Sequence, residues 1–126
     1  MNFKTLMIIK AVVCLGFGPV LLLFPEQLLN LLGLTFCVGA AFTAREYGAA
    51  LIGNLMLTWF ARGVEASVAR RAIILHLFVY DAIALVVTLI FVLTGRPAPL
   101  GWGIVVVYLF FTIGYGYFLL PQRKTA

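Results

Sequence analysis

Apolar residues occur in four long runs along the chain, and most charged residues fall in the short gaps between them. A helix rises about 1.5 Å per residue, so roughly 20 apolar residues cross a hydrocarbon core about 30 Å thick. Three of the runs reach that length. The second run along the chain reaches it only when Arg45 and Glu46 are counted at the edge of the run. The runs cover residues 6–24, 47–61, 72–94 and 100–120. The pattern predicts four membrane-crossing helices.

The predicted fold is all-α: an integral membrane four-helix bundle in a single domain, residues 1–126. We expect the long helices at about residues 5–24, 44–62, 71–94 and 100–120. A short amphipathic helix is predicted between the first two, over about 26–34. Pro25 is favourable at a helix start, and the polar residues that follow lie on one face while leucines cover the rest. We expect this helix to lie in the outer interface and to cap the bundle.

The composition agrees with a membrane protein. The chain is 64% apolar and 10% charged, against about 45–50% and about 25% in soluble domains. The formal charge of +5 comes from residues that flank the apolar runs rather than from a separate basic helix. Nucleic-acid binding is therefore not expected, and membrane lipids are the expected partners, together with a larger membrane complex or a homo-oligomer.

Lys and Arg are distributed unequally between the two sides that four crossings would define. Because these residues concentrate in cytoplasmic loops, we expect a multi-pass protein of the bacterial inner membrane with both termini in the cytoplasm. The predicted cytoplasmic side carries Lys4, Lys10, Arg62, Arg70, Arg71, Arg123 and Lys124, and the other side carries Arg45 and Arg96.

Asp81 is the most informative polar residue, since it lies about 15 Å beyond Arg71 along its helix and so near the midplane. A charge at that depth costs about 2.5–3.5 kcal/mol, so Asp81 should face the bundle and find a partner or be protonated. Its role is either functional, as a proton-coupling or ligand-binding acid, or structural, as a hydrogen bond between helices. Asn54, Tyr108 and Thr112 are candidate partners at similar depth. Lys10 can reach toward Asp81, although extension to the interface is the commoner outcome for such a lysine.

Further polar residues share helix faces. Glu46 and Asn54 can line one polar seam on the second helix. Tyr108, Thr112 and Tyr115 form a narrow stripe on the fourth, a pattern more typical of contacts between helices than of a ligand site.

Small residues from Gly48 to Gly53 predict close helix packing within the bundle, with a dimer face as the alternative.

The sequence predicts no catalytic residues, no metal site and no cofactor. His76 is the single histidine, and it lies about 140° around its helix from Asp81, which disfavours a His–Asp dyad. One histidine cannot supply a zinc site or two haem ligands. Cys14 and Cys37 do not form a C-x-x-C motif, and both are interpreted as small apolar residues.

The segments REYGAALIGN (residues 45–54) and WFAR (residues 59–62) resemble the second helix of small bacterial four-helix membrane proteins of unknown function. The layout of Pro25, a short leucine-rich segment and a second helix is similar too, as is Gly101-Trp102 at the start of the fourth helix. These proteins are loosely grouped with the DoxX-like membrane proteins. The resemblance implies a four-helix bundle and carries no established activity or site residues.

Three functions follow from these observations. The first is a small non-enzymatic inner-membrane protein, an accessory or interaction subunit with room for a lipid or hydrophobic ligand between its helices. The second is an oligomeric proton-coupled transporter or channel that uses Asp81 or Glu46. The third is a membrane enzyme acting on a lipid or quinone, with the same two carboxylates as acid–base groups.

Overall fold

A computed structural model describes residues 1–95 and 99–121, and these residues fold into five helices. The all-α prediction is confirmed, whereas the predicted four-helix bundle is wrong, because the short second helix packs into the core as a fifth helix. The helices are α1 (Phe3–Leu23), α2 (Pro25–Leu31), α3 (Val38–Ala61), α4 (Val68–Thr94) and α5 (Pro99–Leu119).

Within the described residues, three helices, and not the predicted four, are long and apolar enough to cross a membrane: α1, α4 and α5. This is consistent with a membrane protein. The 24-residue helix α3 has the length but not the apolarity. Its sequence includes Arg45, Glu46 and Asn54 together with several glycine and alanine residues, which lower its hydropathy below that of the other three.

Three of the long helices begin earlier than the apolar runs predict, because polar side chains cap them. At α1, Asn2 accepts a hydrogen bond from the Thr5 amide at 2.8 Å. At α4, Ser67 accepts from the Arg70 amide at 3.1 Å. The sulfur of Cys37 accepts from an amide in the first turn of α3. Such caps satisfy amides that have no partner within the helix, so α3 starts six residues before the expected position.

Helix α2 is amphipathic, as its sequence predicts. Leu28 and Leu29 are buried, while Glu26, Gln27 and Asn30 are exposed. The two leucines pack in a cluster with buried residues of α1 and α3. The helix ends before Gly33, whose φ of 73° is a left-handed conformation that glycine adopts without a steric penalty.

Helices α1 and α3 form the largest interface in the protein. The buried positions of α3 repeat at intervals of three and four residues, which is the spacing of a coiled-coil seam. At the closest approach, a Cβ atom added to Gly48 would lie 2.8 Å from the Gly18 carbonyl oxygen and 2.8 Å from the Leu22 amide. Only glycine at position 48 allows the two backbones to come this close, as small residues do where helices pack in lipid.

Helix α4 packs mainly on α5, and a smaller contact between α1 and α5 joins the two helix pairs. One apolar cluster unites all four long helices at the end that contains Phe3, Ala61, Ile74 and Tyr115. The exposed or half-buried side chains of Lys4, Arg62, Arg70 and Arg71 lie at this same end, which we call the basic end. Arg96, Arg123 and Lys124, which also entered the orientation prediction, lie outside the described residues.

Candidate functional site: a buried ion pair and its tyrosines

Lys10 of α1 and Asp81 of α4 form an ion pair inside the protein. The Lys10 ammonium group donates a hydrogen bond to Oδ1 of Asp81, and the two side chains are 2% and 0% exposed. The sequence favours extension of Lys10 toward the interface, and this expectation is wrong. A bare carboxylate in the core would carry a large desolvation cost, and the lysine stem is long enough to bring a counter-charge to it.

Aromatic rings enclose the ammonium group on its other sides. The Lys10 nitrogen lies 4.5 Å from the centre of the Phe111 ring, 5.4 Å from that of Tyr80 and 5.9 Å from that of Tyr108. Ring faces carry partial negative charge and attract a cation within about 6 Å. The rings therefore offset part of the cost of burying Lys10.

Tyr108 also connects the ion pair to α3. Its hydroxyl forms a hydrogen bond with the hydroxyl of Tyr47. Side chains from α1, α3, α4 and α5 thus meet in one layer, which we call the polar layer: Lys10, Tyr47, Tyr80, Asp81 and Tyr108. This layer lies between the apolar cluster at the basic end and the second cluster formed by α1, α2 and α3.

Some hydrogen-bonding capacity around the polar layer is unused. Within the described part of the chain, Oδ2 of Asp81, the Tyr80 hydroxyl and the Thr112 hydroxyl are buried without a hydrogen-bond partner. Buried polar atoms are nearly always paired with protein or with water. These three buried groups therefore have hydrogen-bonding capacity that the neighbouring side chains do not use.

Three other predicted site residues, Asn54, Thr112 and Tyr115, face the interior of the protein. Asn54 is buried, and its backbone carbonyl accepts a hydrogen bond from the Thr58 hydroxyl at 2.7 Å. No hydrogen bond joins Asn54 to Asp81 among the described residues. Tyr115 is fully buried, and its hydroxyl lies 3.7 Å from the sulfur of Met7. Thr112 and Tyr115 therefore face the interior with Tyr108, as their shared stripe predicts.

Glu46 is exposed on the outer surface of α3, whereas Asn54 is buried. The two residues do not form the predicted seam, because Asn54 faces the interior of the protein and Glu46 faces outward. The enzyme hypothesis requires Glu46 and Asp81 to act on one substrate. The structure does not bring these two carboxylates together.

The small residues of α3 divide between two faces. Gly48 faces α1, as the packing hypothesis predicts. Ala49, Ala50 and Gly53 are exposed. Close packing within the protein thus depends on Gly48 alone among the four.

His76 is exposed, and its ring lies 6.4 Å from that of Tyr80 in a stacked arrangement. This is a local contact within α4. Both cysteines are free, with Cys14 buried and Cys37 exposed. Across residues 1–95 and 99–121, no group of three or more His, Cys, Asp or Glu side chains is placed to hold a metal ion.

Sequence reasoning missed Tyr47 and Tyr80 as members of the polar layer. A signal for Tyr47 was present, since it precedes Asn54 by seven residues and so shares its helix face. Tyr80 gives a weaker signal, because residues adjacent in a helix diverge by about 100°. Its ring reaches Lys10 from a different direction than Asp81 does.

The geometry of the polar layer suits two chemical roles. A buried ion pair fixes which helices associate, because removing one partner leaves an uncompensated charge, at a cost of about 3–5 kcal/mol. A carboxylate with a free oxygen beside an ammonium group can also exchange a proton.

No protein-family model matches the chain, and no curated protein or solved structure matches it. The resemblance to DoxX-like proteins therefore stays a prediction.

Proposed function

We propose that the protein is a non-enzymatic membrane subunit whose polar layer joins two pairs of helices and whose outer surface contacts lipid and other membrane proteins. The observation that carries this proposal is the Lys10–Asp81 pair. Neither side chain reaches the surface. In this conformation the two charged groups therefore contact each other and are not accessible to a polar substrate. A structural role accounts for the pair without a further component.

The outer surface supports the same proposal. Helices α4 and α5 expose large apolar side chains along much of their length, among them Ile83, Val87, Ile90, Leu93, Val106 and Ile113. Soluble monomers rarely expose contiguous apolar surfaces of this kind, and large ones mark protein or membrane contacts. We infer that lipid and a partner subunit cover these faces.

We further propose that the protein crosses the bacterial inner membrane more than once, with the basic end in the cytoplasm. The N-terminus and the end of α5 lie at that end, together with Lys4, Arg62 and Arg70. The excess of Lys and Arg in cytoplasmic segments supports this orientation.

Cysteine labelling in intact cells tests the orientation. Cys37 is exposed and lies away from the basic end, so a membrane-impermeant maleimide should label it in intact cells. In a Cys37→Ser background, Glu65→Cys places a thiol at the basic end and should be labelled only after the cells are permeabilised. The reverse pattern would overturn the orientation, and recovery of the protein in the soluble fraction would overturn the membrane assignment.

A second candidate function is a proton-coupled transporter or channel, which the unpartnered Oδ2 of Asp81 and the buried Tyr80 hydroxyl favour. The double variant Lys10→Met/Asp81→Leu separates the two functions. If the pair is structural, the folded variant keeps the membrane proteins that co-purify with the wild type in mild detergent. If the pair carries protons, wild-type protein in liposomes conducts protons down a pH gradient, and the folded variant does not.

A further inference from the structure

We propose that the basic end binds the headgroup of an anionic phospholipid in a surface depression between Lys4 and Arg62. This inference rests on the proposed membrane insertion, because it requires the basic end to lie at a lipid headgroup region.

The depression lies where the start of α1 meets the end of α3. Its volume is about 510 Å³. The lining side chains combine two cations with an apolar wall: Lys4, Phe60, Arg62, Gly63 and Val64. A phosphate group placed there would contact both cations, and the apolar wall would adjoin the glycerol and upper acyl region.

Arg62 is held in position for such a contact. Its guanidinium lies 4.0 Å from the centre of the Trp59 ring, and Nη1 donates to the Trp59 backbone carbonyl. A guanidinium carries five N–H donors, so others remain for a phosphate oxygen. Because the stacking already fixes the guanidinium plane, less side-chain freedom is lost on binding.

Among residues 1–95 and 99–121, no carboxylate forms an ion pair with Lys4 or Arg62. Within the described residues, the Lys10–Asp81 contact is the one ion pair. Glu65 is exposed in the same turn and makes no ion pair with Lys4 or Arg62. The net charge of the depression and its turn is therefore positive, which complements a phosphodiester headgroup that carries net negative charge.

The outer face of α3 continues from the depression as an apolar path. Phe60, Met56 and Gly53 are exposed and succeed one another at intervals of three and four residues, so they follow one side of the helix. A Cβ atom added to Gly53 would have no atom within 4 Å. No neighbouring side chain therefore obstructs an acyl chain that lies along this side of α3. Free phosphate would contact only the two cations. The apolar surface that continues from the cations favours a phospholipid, because its acyl chain would cover that surface.

Native mass spectrometry of the purified, delipidated protein tests the proposal, with dioleoylphosphatidylglycerol as the anionic probe and dioleoylphosphatidylcholine as the zwitterionic one. We expect the wild type to retain phosphatidylglycerol in preference. Lys4→Gln/Arg62→Gln removes both cations and should weaken that retention about thirtyfold. The matched control Arg45→Gln/Arg71→Gln removes the same charge from exposed positions outside the depression and should change retention much less. Equal retention of the two lipids, or equal loss in both double variants, would overturn the site.

Two further measurements distinguish loss of the lipid site from misfolding and from binding of free phosphate. Lys4→Gln alone leaves the Arg62–Trp59 stacking intact, and it should weaken phosphatidylglycerol retention while the circular dichroism spectrum stays that of the wild type. Inorganic phosphate should not displace the lipid; displacement would indicate a phosphate site instead of a phospholipid site. The orientation test in cells is independent of these results, so the lipid site can fail while the membrane assignment stands.

Discussion

The ammonium group of Lys10 donates a hydrogen bond to the carboxylate of Asp81, a residue 71 positions further along the chain, and both side chains are buried. This contact joins the first and fourth helices through the middle of the protein. It is also the point around which Tyr80, Tyr108 and Phe111 gather. The stability of the polar layer should therefore depend on both members of the pair.

Asp81→Leu should destabilise the protein strongly, because it leaves the Lys10 charge buried without a partner. We expect a loss of about 3–5 kcal/mol in the free energy of unfolding. The double variant Lys10→Met/Asp81→Leu removes both charges and should recover most of that loss, since apolar groups of similar volume often replace a buried ion pair at little cost. Unfolding in detergent, followed by tryptophan fluorescence, measures both. Equal stability of Asp81→Leu and the wild type would contradict a structural role for the pair.

Gly48→Ala should weaken the packing of α1 on α3. The added methyl group would lie 2.8 Å from backbone atoms of Gly18 and Leu22, and backbone atoms cannot move aside without shifting a helix. Overpacking of this kind costs about 1–3 kcal/mol.

Gly53→Ala is the matched control for this substitution, because its methyl group would point into open space on the same helix. It should be neutral or stabilising by up to about 1 kcal/mol, owing to the higher helix propensity of alanine. Thermal unfolding of both variants in the same detergent checks the contrast. Similar melting temperatures would show that the close approach of the helices is not required.

Tyr108→Phe should cost about 1–3 kcal/mol, because it removes the hydroxyl that pairs with Tyr47 and leaves the half-buried Tyr47 hydroxyl without that partner. Tyr117 lies on the same helix but is 61% exposed, so Tyr117→Phe should change the stability by less than about 0.5 kcal/mol. Denaturant unfolding of the two variants makes the comparison. A cost as large for Tyr117→Phe would argue against a specific contribution of the Tyr47–Tyr108 contact.

The two cysteines should differ in reactivity. Cys37 is exposed and Cys14 is buried, so a maleimide added to the folded protein in detergent should modify one thiol per chain, and peptide mapping should locate it at Cys37. Cys14 should react only after unfolding. Rapid labelling of Cys14 in the folded protein would mean that the α1–α3 interface opens readily.

Much of the fold was predictable because the signals are local. Long apolar runs predict helices, and the alternation of leucines with polar residues after Pro25 predicts α2 and its exposed face. The start of α3 was missed by six residues, since a cysteine cap and a stretch rich in small residues give no apolar signal. The number of helices in the core was wrong because periodicity does not reveal that Leu28 and Leu29 pack against α1 and α3.

The candidate site was only partly predictable. Its costly residues, Lys10 and Asp81, were evident from their position within apolar runs, because a charge in such a run must find a partner or carry a desolvation cost. The sequence by itself thus determined the helices, the basic end and the residues that need partners. Tertiary structure alone decided which partners they find, because pairing depends on the rotation and separation of helices that are distant along the chain. That geometry brings Lys10 to Asp81, directs Glu46 outward, and places aromatic rings from α4 and α5 around one ammonium group.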